Sequence, residues 1–294
     1  MEYRQLGSSS LSISRIGFGC MSLKSDQQDA VYLLHEAMDA GINYFDTADL
    51  YERGWNEELV GKAFSGRRDR VVMATKAGNQ WRADGSGWDW NPGKKHILNA
   101  VEESLRRLNT PYIDLYQLHG GTMEDPVDET VEAFELLVKS GKIRHYGISS
   151  IRPAVIRYWA GHSNIVSVML QYSLLDRRPE ESVLPWLQEK GIGVLVRGSI
   201  AQGLLAGKPA KENLGHSSSF VREAAAHLLR LVPDQQLAAA AIGYTLAHPA
   251  VTSAVVGIRT REQLNEAITA RSVSPGQYTE LQKSVPPAFY KEHR

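Results

Sequence analysis

The chain has 294 residues, 43% of them hydrophobic, and its 33 basic side chains balance 33 acidic ones. That composition supports a large core, excludes a disordered chain, and offers no basic stripe for nucleic acid or polybasic segment for a membrane surface. Cys20 is the only cysteine, which excludes an internal disulfide; with a polar N-terminus unlike a signal peptide and no apolar run of bilayer length, the expectation is a soluble cytoplasmic protein.

The opening stretch EYRQL–GSSS–LSISR has the form of a hairpin. Short apolar runs then recur along the chain: RIGFG (15–19), NYFDT (43–47), VVMATK (71–76), DLYQLH (114–119), RHYGIS (144–149), SVMLQY (167–172), GVLVRG (193–198) and SAVVG (253–257). Between them lie patterns with a period near 3.6 residues. Ile97, Leu98, Val101, Leu105 and Leu108 share one face, and Val131, Phe134, Leu137 and Val138 share another, closed by Gly141. SDQQDAVYLLHEAMDAG and PEESVLPWLQEKG repeat the helical design. Continuously apolar strands suit a parallel sheet buried on both faces. Eight strand–helix units without a break in composition predict one (β/α)8 TIM barrel domain over 1–294, its floor capped by the N-terminal β-hairpin. The rival is an open Rossmann sheet, since GFGCMS (17–22) begins like a dinucleotide fingerprint, but Ser22 stands at the third-glycine position and the strand count favours the barrel. Two long connections, Gly78 to Asn91 and Gly203 to Phe220, read as functional loops.

In a barrel the active site collects at the C-terminal ends of the strands. Those ends offer Asp46, Lys76 and His119, with Tyr51 in the loop after the second strand. Each has a plain structural explanation alone: a helix cap, a solvated strand end, a core histidine, a loop aromatic. Together at one rim they form a chemical set. Lys76 pairs with Asp46 and offsets the cost of burying both charges. The ammonium beside the Tyr51 phenol favours phenolate and lowers its pKa, which makes the phenol a general acid for a developing alkoxide. His119 then hydrogen-bonds the oxygen that receives the proton. Side chains supply no hydride, so a carbonyl reduction of this kind requires a cofactor.

At these residues the sequence resembles the aldo-keto reductase superfamily: FDTADLY (45–51), ATK (74–76) and LYQLH (115–119) match its catalytic motifs. The resemblance extends over nearly the whole chain through GFG (17–19), GIS (147–149), Gln171, AQGLLAGK (201–208) and VVGIRTREQLNEA (255–267). It implies NADPH-dependent reduction of an aldehyde or ketone, with Tyr51 as proton donor, Asp46 and Lys76 tuning it, and His119 orienting the carbonyl. It also implies a cofactor site. Gly19, Cys20 and Met21 lie in the first turn, and Asp46 near the nicotinamide ribose. Ser149, Ser150 and Gln171 lie at the carboxamide, and Arg197, Gly198 and Ser199 follow the seventh strand. Gly203, Leu204 and Lys208 belong to the loop over the pyrophosphate. Gly257, Ile258, Arg259, Thr260, Arg261, Gln263 and Glu266 surround the adenosine phosphate. A guanidinium near a helix N-terminus receives a doubly charged phosphate well, which favours NADP over NAD.

Three positions depart from the pattern: Ser150 and Ala267 each stand where asparagine is usual, and Arg197 where an aromatic ring commonly underlies the nicotinamide. A guanidinium stacks too, and the expectation is that its charge disfavours NADP⁺ relative to NADPH. Trp81, Trp88 and Trp90 crowd one long connection, and Trp55 follows Tyr51 closely. Trp55, Trp81 and His119 are the expected substrate-pocket residues, an apolar wall for a small-molecule carbonyl substrate. No HExxH, CxxC or GxSxG occurs, and LLAGKP lacks the Walker spacing, so a metal centre, a nucleophile elbow and an NTPase loop are not expected. The alternative function is an NADPH-binding regulatory or sensing subunit with little turnover, because relatives such as potassium-channel β subunits retain the fold.

Overall fold

In the computed structural model, which describes residues 1–292, the apolar runs form strands and the amphipathic patterns form helices around them. The last two residues of the expected domain, 293 and 294, lie outside the described residues. The elements are β1 (Tyr3–Gln5), β2 (Ser12–Ser14), β3 (Ile16–Gly19), α1 (Ala30–Asp39), β4 (Tyr44–Asp46), α2 (Trp55–Phe64) and β5 (Val72–Ala77). There follow β6 (Asn79–Trp81), β7 (Trp88–Trp90), α3 (Lys94–Leu108), β8 (Ile113–Leu118), α4 (Val127–Lys139), β9 (Ile143–Ser149), α5 (Pro153–His162), β10 (Ser167–Gln171) and α6 (Val183–Glu189). The chain continues through β11 (Gly193–Arg197), α7 (Ser218–Leu231), α8 (Leu237–Ala247), β12 (Val251–Gly257), α9 (Arg261–Thr269) and α10 (Pro275–Ser284).

Strands β3, β4, β5, β8, β9, β10, β11 and β12 pair in parallel and close on themselves, the (β/α)8 barrel that the alternation predicts. Residues on alternate positions face inward, so Tyr44, Ala74, Leu115, Met169, Leu195 and Val255 fill the interior. The antiparallel hairpin β1–β2 drives Leu6, Leu11 and Ile13 into the same cluster and plugs the floor. Gly7 turns the hairpin at φ 56°, and a Cβ there would sit 2.2 Å from the Val166 carbonyl oxygen, so only glycine fits this approach to the strand bottoms.

Several boundaries differ from the sequence expectation. The connection from Gly78 to Asn91 is not a structureless loop: β6 and β7 pair as a hairpin in the register Asn79–Trp90, Gln80–Asp89, Trp81–Trp88. The second long connection ends early, because the Ser217 hydroxyl accepts from the Phe220 amide and starts α7. Helix α1 occupies only the second part of its pattern, and PEESVLPWLQEKG divides into a 3₁₀ turn at Arg178–Glu181 and α6. Two helices rather than one, α7 and α8, link β11 to β12.

The C-terminal helix α10 is fastened to the barrel wall by Glu180. Its carboxylate accepts from the hydroxyls of Tyr172 (2.7 Å) and Tyr244 (2.8 Å), from Arg177 (Nη2, 2.6 Å) and from the Gln282 side chain (3.0 Å). Arg177 in turn donates to the carbonyl oxygens of Gln282 and Val285. Removing one partner of a largely buried ion pair leaves the other charge uncompensated. Glu180→Ala is therefore expected to lower unfolding free energy by about 3 kcal/mol, read as a fall in the denaturant midpoint.

Candidate active site

Side-chain alternation builds the site as a second layer. Two positions beyond Tyr44, Ala74, Leu115, Met169 and Leu195 on the same inward faces stand Asp46, Lys76, Gln117, Gln171 and Arg197. The interior thus passes from apolar floor to polar mouth within one step of the pleat.

At its centre is an ion pair. The Lys76 side chain is 1% exposed and that of Asp46 is 5% exposed, and Lys76 Nζ donates to Asp46 Oδ1 at 2.5 Å. The ammonium also donates to the Thr47 carbonyl oxygen at 2.7 Å and lies 3.5 Å from the Tyr51 hydroxyl. The second Asp46 oxygen accepts from Gln117 Nε2 (3.3 Å) and from the Tyr44 hydroxyl (3.4 Å). Burial pushes the Asp46 carboxyl up, against the pull of Lys76, Gln117 and Tyr44. Burial also works against the Lys76 ammonium, but Asp46 and Tyr51 outweigh it and hold its pKa above the ordinary value. Three donors on the carboxylate and two acceptor oxygens on the ammonium support the charged pair.

Tyr51 opens a short 3₁₀ turn in which Glu52 and Arg53 take left-handed conformations, at φ 47° and 55°. The strained turn is held from outside, Glu52 by Lys24 at 3.0 Å and Arg53 by the Gly85 carbonyl at 3.0 Å. The expectation that the ammonium lowers the Tyr51 pKa needs correction. Burial raises the phenol above its ordinary value, and Lys76 opposes that rise without cancelling it. Tyr51 is protonated at neutral pH, and the ammonium eases proton loss relative to a phenol buried alone. His119 meets the Tyr51 ring edge-on, 5.7 Å between centroids. Burial, then the charges of Lys76 and Arg197, push its pKa down to about 3, so the imidazole is neutral, and its Nδ1 has no partner.

Part of the set expected to hold a cofactor lies along a groove of about 460 Å³ that runs from this mouth between β3, β11 and β12. Gly19, Met21, Asp46, Gln171, Arg197, Gly198, Ser199 and Gly257 line it. The Ser199 hydroxyl is buried there with no hydrogen-bond partner among the described residues, and a ligand in the groove that bonds to it would satisfy it. Gly198 and Gly203 turn the chain at φ 78° and 95°, and Lys208 folds across Gly203 to donate to the Gln202 carbonyl at 3.0 Å. Gly257 leads past the buried Ile258 to Arg259, which precedes the Thr260 N-cap of α9. These features suit an extended anionic ligand such as a dinucleotide.

Other expected contacts are already engaged. Gln171 accepts from Arg197 Nη1 (3.1 Å) and donates to Asp176 (2.8 Å), and Arg261 is paired with Glu36 of α1 at 2.5 Å. The Glu266 carboxylate accepts from the Ala238 amide at the start of α8, and Gln263 accepts from the Arg259 amide. The side chains of Cys20 and Leu204 belong to the hydrophobic core.

A second cavity of about 640 Å³ joins the mouth and takes in Tyr51, Lys76, His119, Ser149 and Ser150. Its indole walls are Trp88 and Trp90 of the β7 strand. Trp55 packs instead against the core at the start of α2, and Trp81 faces an adjoining recess under Arg53, 4.8 Å from the guanidinium. Gln117 and Arg152 are the cavity and mouth residues that the sequence reading misses, and Trp88 and Trp90 are named there but passed over in favour of Trp55 and Trp81. Gln117 carries a usable signal, since it sits two residues before His119 on one strand face.

An eight-stranded parallel barrel with this mouth defines a barrel oxidoreductase, and the chain belongs to the Aldo/keto reductase family, whose profile it matches over residues 15–285. It is 49% identical to the oxidoreductase YqkF of Bacillus subtilis across 100% of both chains. It is 36% identical to the aldo-keto reductase YhdN of the same organism, over 72% of this chain and 66% of that one. Among solved structures it is similar to aldo-keto reductase AKR11C1 from Bacillus halodurans in its holo form, with TM-score 0.94 and 46% identity over 100% and 99% of the two chains; against the apo form the TM-score is 0.87. No helix among the described residues is long and apolar enough to cross a membrane.

The depressed His119 pKa has a measurable consequence. Its ring-proton NMR signals are expected to stay fixed between about pH 8 and pH 5, where an ordinary imidazole titrates near 6.5. An unfolded His119 takes up a proton below about 6.5 whereas the folded one does so only near 3, so its contribution to stability is present above 6.5 and is lost as pH falls towards about 3.

Proposed function

We propose that this protein reduces aldehydes or ketones to alcohols with NADPH, Tyr51 donating the proton. The observation that carries the reading is the Lys76 ammonium, 2.5 Å from Asp46 and 3.5 Å from the Tyr51 hydroxyl, in a mouth that also holds a neutral histidine. When bound, NADPH supplies a hydride to the carbonyl carbon. The chain's own groups govern the oxygen. A neutral His119 donates one N–H to the carbonyl oxygen and so orients and polarises it. Tyr51 then gives its hydroxyl proton to that oxygen as negative charge develops, and the Lys76 ammonium stabilises the phenolate left behind. Asp46 keeps the ammonium in place and protonated.

Ser199, the backbone of Gly198 and Gly257, and the loop of Gly203 and Lys208 would hold the dinucleotide along the groove, and Ser149 with Gln171 would face its carboxamide. Gln171 would give up or share its bonds to Arg197 and Asp176 on doing so. Of the two arginines near α9, Arg259 is the phosphate receptor in this reading, because Arg261 is paired with Glu36. Support for NADP over NAD rests on that one guanidinium beside a helix N-terminus.

Tyr51→Phe is expected to lower kcat about 10²- to 10⁴-fold on a panel of aromatic and aliphatic aldehydes, with the Kd for NADPH unchanged by fluorescence titration. Tight NADPH binding by the wild type with no turnover of any carbonyl would instead favour the regulatory or sensing role. Arg259→Gln is expected to raise the KM for NADPH about tenfold or more while changing the KM for NADH little; equal effects on both would remove the NADP assignment.

A further inference from the structure

The wall of the second cavity is unbalanced in charge. No aspartate or glutamate lines it, yet Lys76, Arg152 and Arg197 do. Lys76 is matched by Asp46 at 2.5 Å. Neither arginine has a carboxylate within ion-pair distance among the described residues. Arg197 bonds to the neutral amide of Gln171, beyond which Asp176 is already paired with Arg178 at 2.7 Å. Arg152 is the N-cap of α5, and its Nη1 donates to the Gly121 carbonyl at 2.5 Å. That bond holds the guanidinium beside the glycine pair at the cavity rim; on its other side Arg152 borders a recess that also takes in Asp176 and Glu292, neither of them within ion-pair distance of it, so its remaining donors carry no carboxylate among the described residues. The nearby Asp125 sits behind the wall, its oxygens taken by the Trp90 indole (2.8 Å) and by the Thr122 amide and hydroxyl (each 2.7 Å).

A cavity with indole walls, cationic donors and no acid selects for a ligand that is apolar along its length and negative at its far end. The first turn of α5, entered through Ser150, Ile151 and Arg152, adds partial positive charge at the same rim. We infer that the substrate is an aldehyde or ketone bearing a carboxylate, with the carbonyl at Tyr51 and His119 and the carboxylate on Arg152. The inference rests on the reductase reading above and makes Arg152 a specificity-determining residue rather than a catalytic one. Lys76 cannot take that role, being consumed by Asp46, and Arg197 faces the cofactor groove as well. A carboxylate is favoured over a phosphate ester because one planar guanidinium matches a carboxylate edge in full, whereas a dianion calls for more donors.

The test compares 4-carboxybenzaldehyde with methyl 4-formylbenzoate, which differ in charge and share the aryl aldehyde, and adds 4-formylphenyl phosphate. The expected result is a kcat/KM ratio of acid to ester of about tenfold or more in the wild type. That ratio is expected to collapse towards one in Arg152→Gln, mainly through KM, and to return in part in Arg152→Lys. A second measurement needs no turnover: quenching of intrinsic tryptophan fluorescence by 4-(hydroxymethyl)benzoate against its methyl ester, with the acid binding more tightly only while Arg152 is present. Equal kcat/KM for acid and ester, or a ratio unmoved by Arg152→Gln, overturns the inference and leaves the reductase reading intact. A preference for the phosphate over the carboxylate overturns the assignment of the anion. Charge-selective fluorescence quenching without reduction of any aldehyde overturns the reductase reading and supports the Arg152 site, and no charge selectivity in either measurement overturns it.

Discussion

The mouth of this barrel is organised around one costly act, the burial of the Lys76 ammonium beside the Asp46 carboxylate. Two charges removed from water repay their desolvation only when every remaining lone pair and proton finds a partner. The strands supply those partners in order: Gln117 and Tyr44 for the second carboxylate oxygen, and the Thr47 carbonyl for the ammonium. Because β4, β5 and β8 are adjacent in the barrel, the backbone register alone brings these groups within reach. The phenol of Tyr51 is then placed by a strained turn that neighbouring loops hold shut.

The layering beneath and around this pair explains how one interior serves two purposes. Below it, the hairpin plug and the inward apolar side chains exclude water, which strengthens every electrostatic interaction above. Around it, Gln171 is bridged between Arg197 and Asp176, whereas the Ser199 hydroxyl, His119 Nδ1 and Gln117 Oε1 stay unpartnered among the described residues. In the proposed reading, a dinucleotide in this groove would exchange hydrogen bonds at Gln171 and add one at Ser199, two different energetic events on one surface.

The parts of this structure that the sequence makes legible are those set by repeating physics. Eight apolar runs mark eight strands because a sheet covered on both faces tolerates little polarity within them. Asp46, Lys76 and His119 stand out because they end such runs. What depends on long-range geometry is less visible. Trp55 is close to Tyr51 along the chain yet faces the core, whereas Trp88 and Trp90 reach the cavity from a hairpin that the glycine-rich, polar stretch 82–87 disguises as a loop. Arg152 gives no sequence signal, since its place at the cavity rim depends on a bond to the carbonyl of Gly121, distant in sequence. The Tyr51 pKa is misjudged in sign when only its neighbour's charge is considered, because the larger effect, burial, is a property of the whole fold.

The β6–β7 hairpin leaves the barrel and rejoins it at almost the same point: the Asn91 amide donates to the Gly78 carbonyl at 2.8 Å. With its two ends pinned together, the excursion is topologically a side branch, and its length and composition place no demand on how β5 and α3 meet. Its tip nevertheless reaches back to the mouth, where the Gly85 carbonyl accepts from Arg53 in the turn that carries Tyr51, so a change of length or sequence there would be felt at Tyr51 as well as at the wall that Trp88 and Trp90 form.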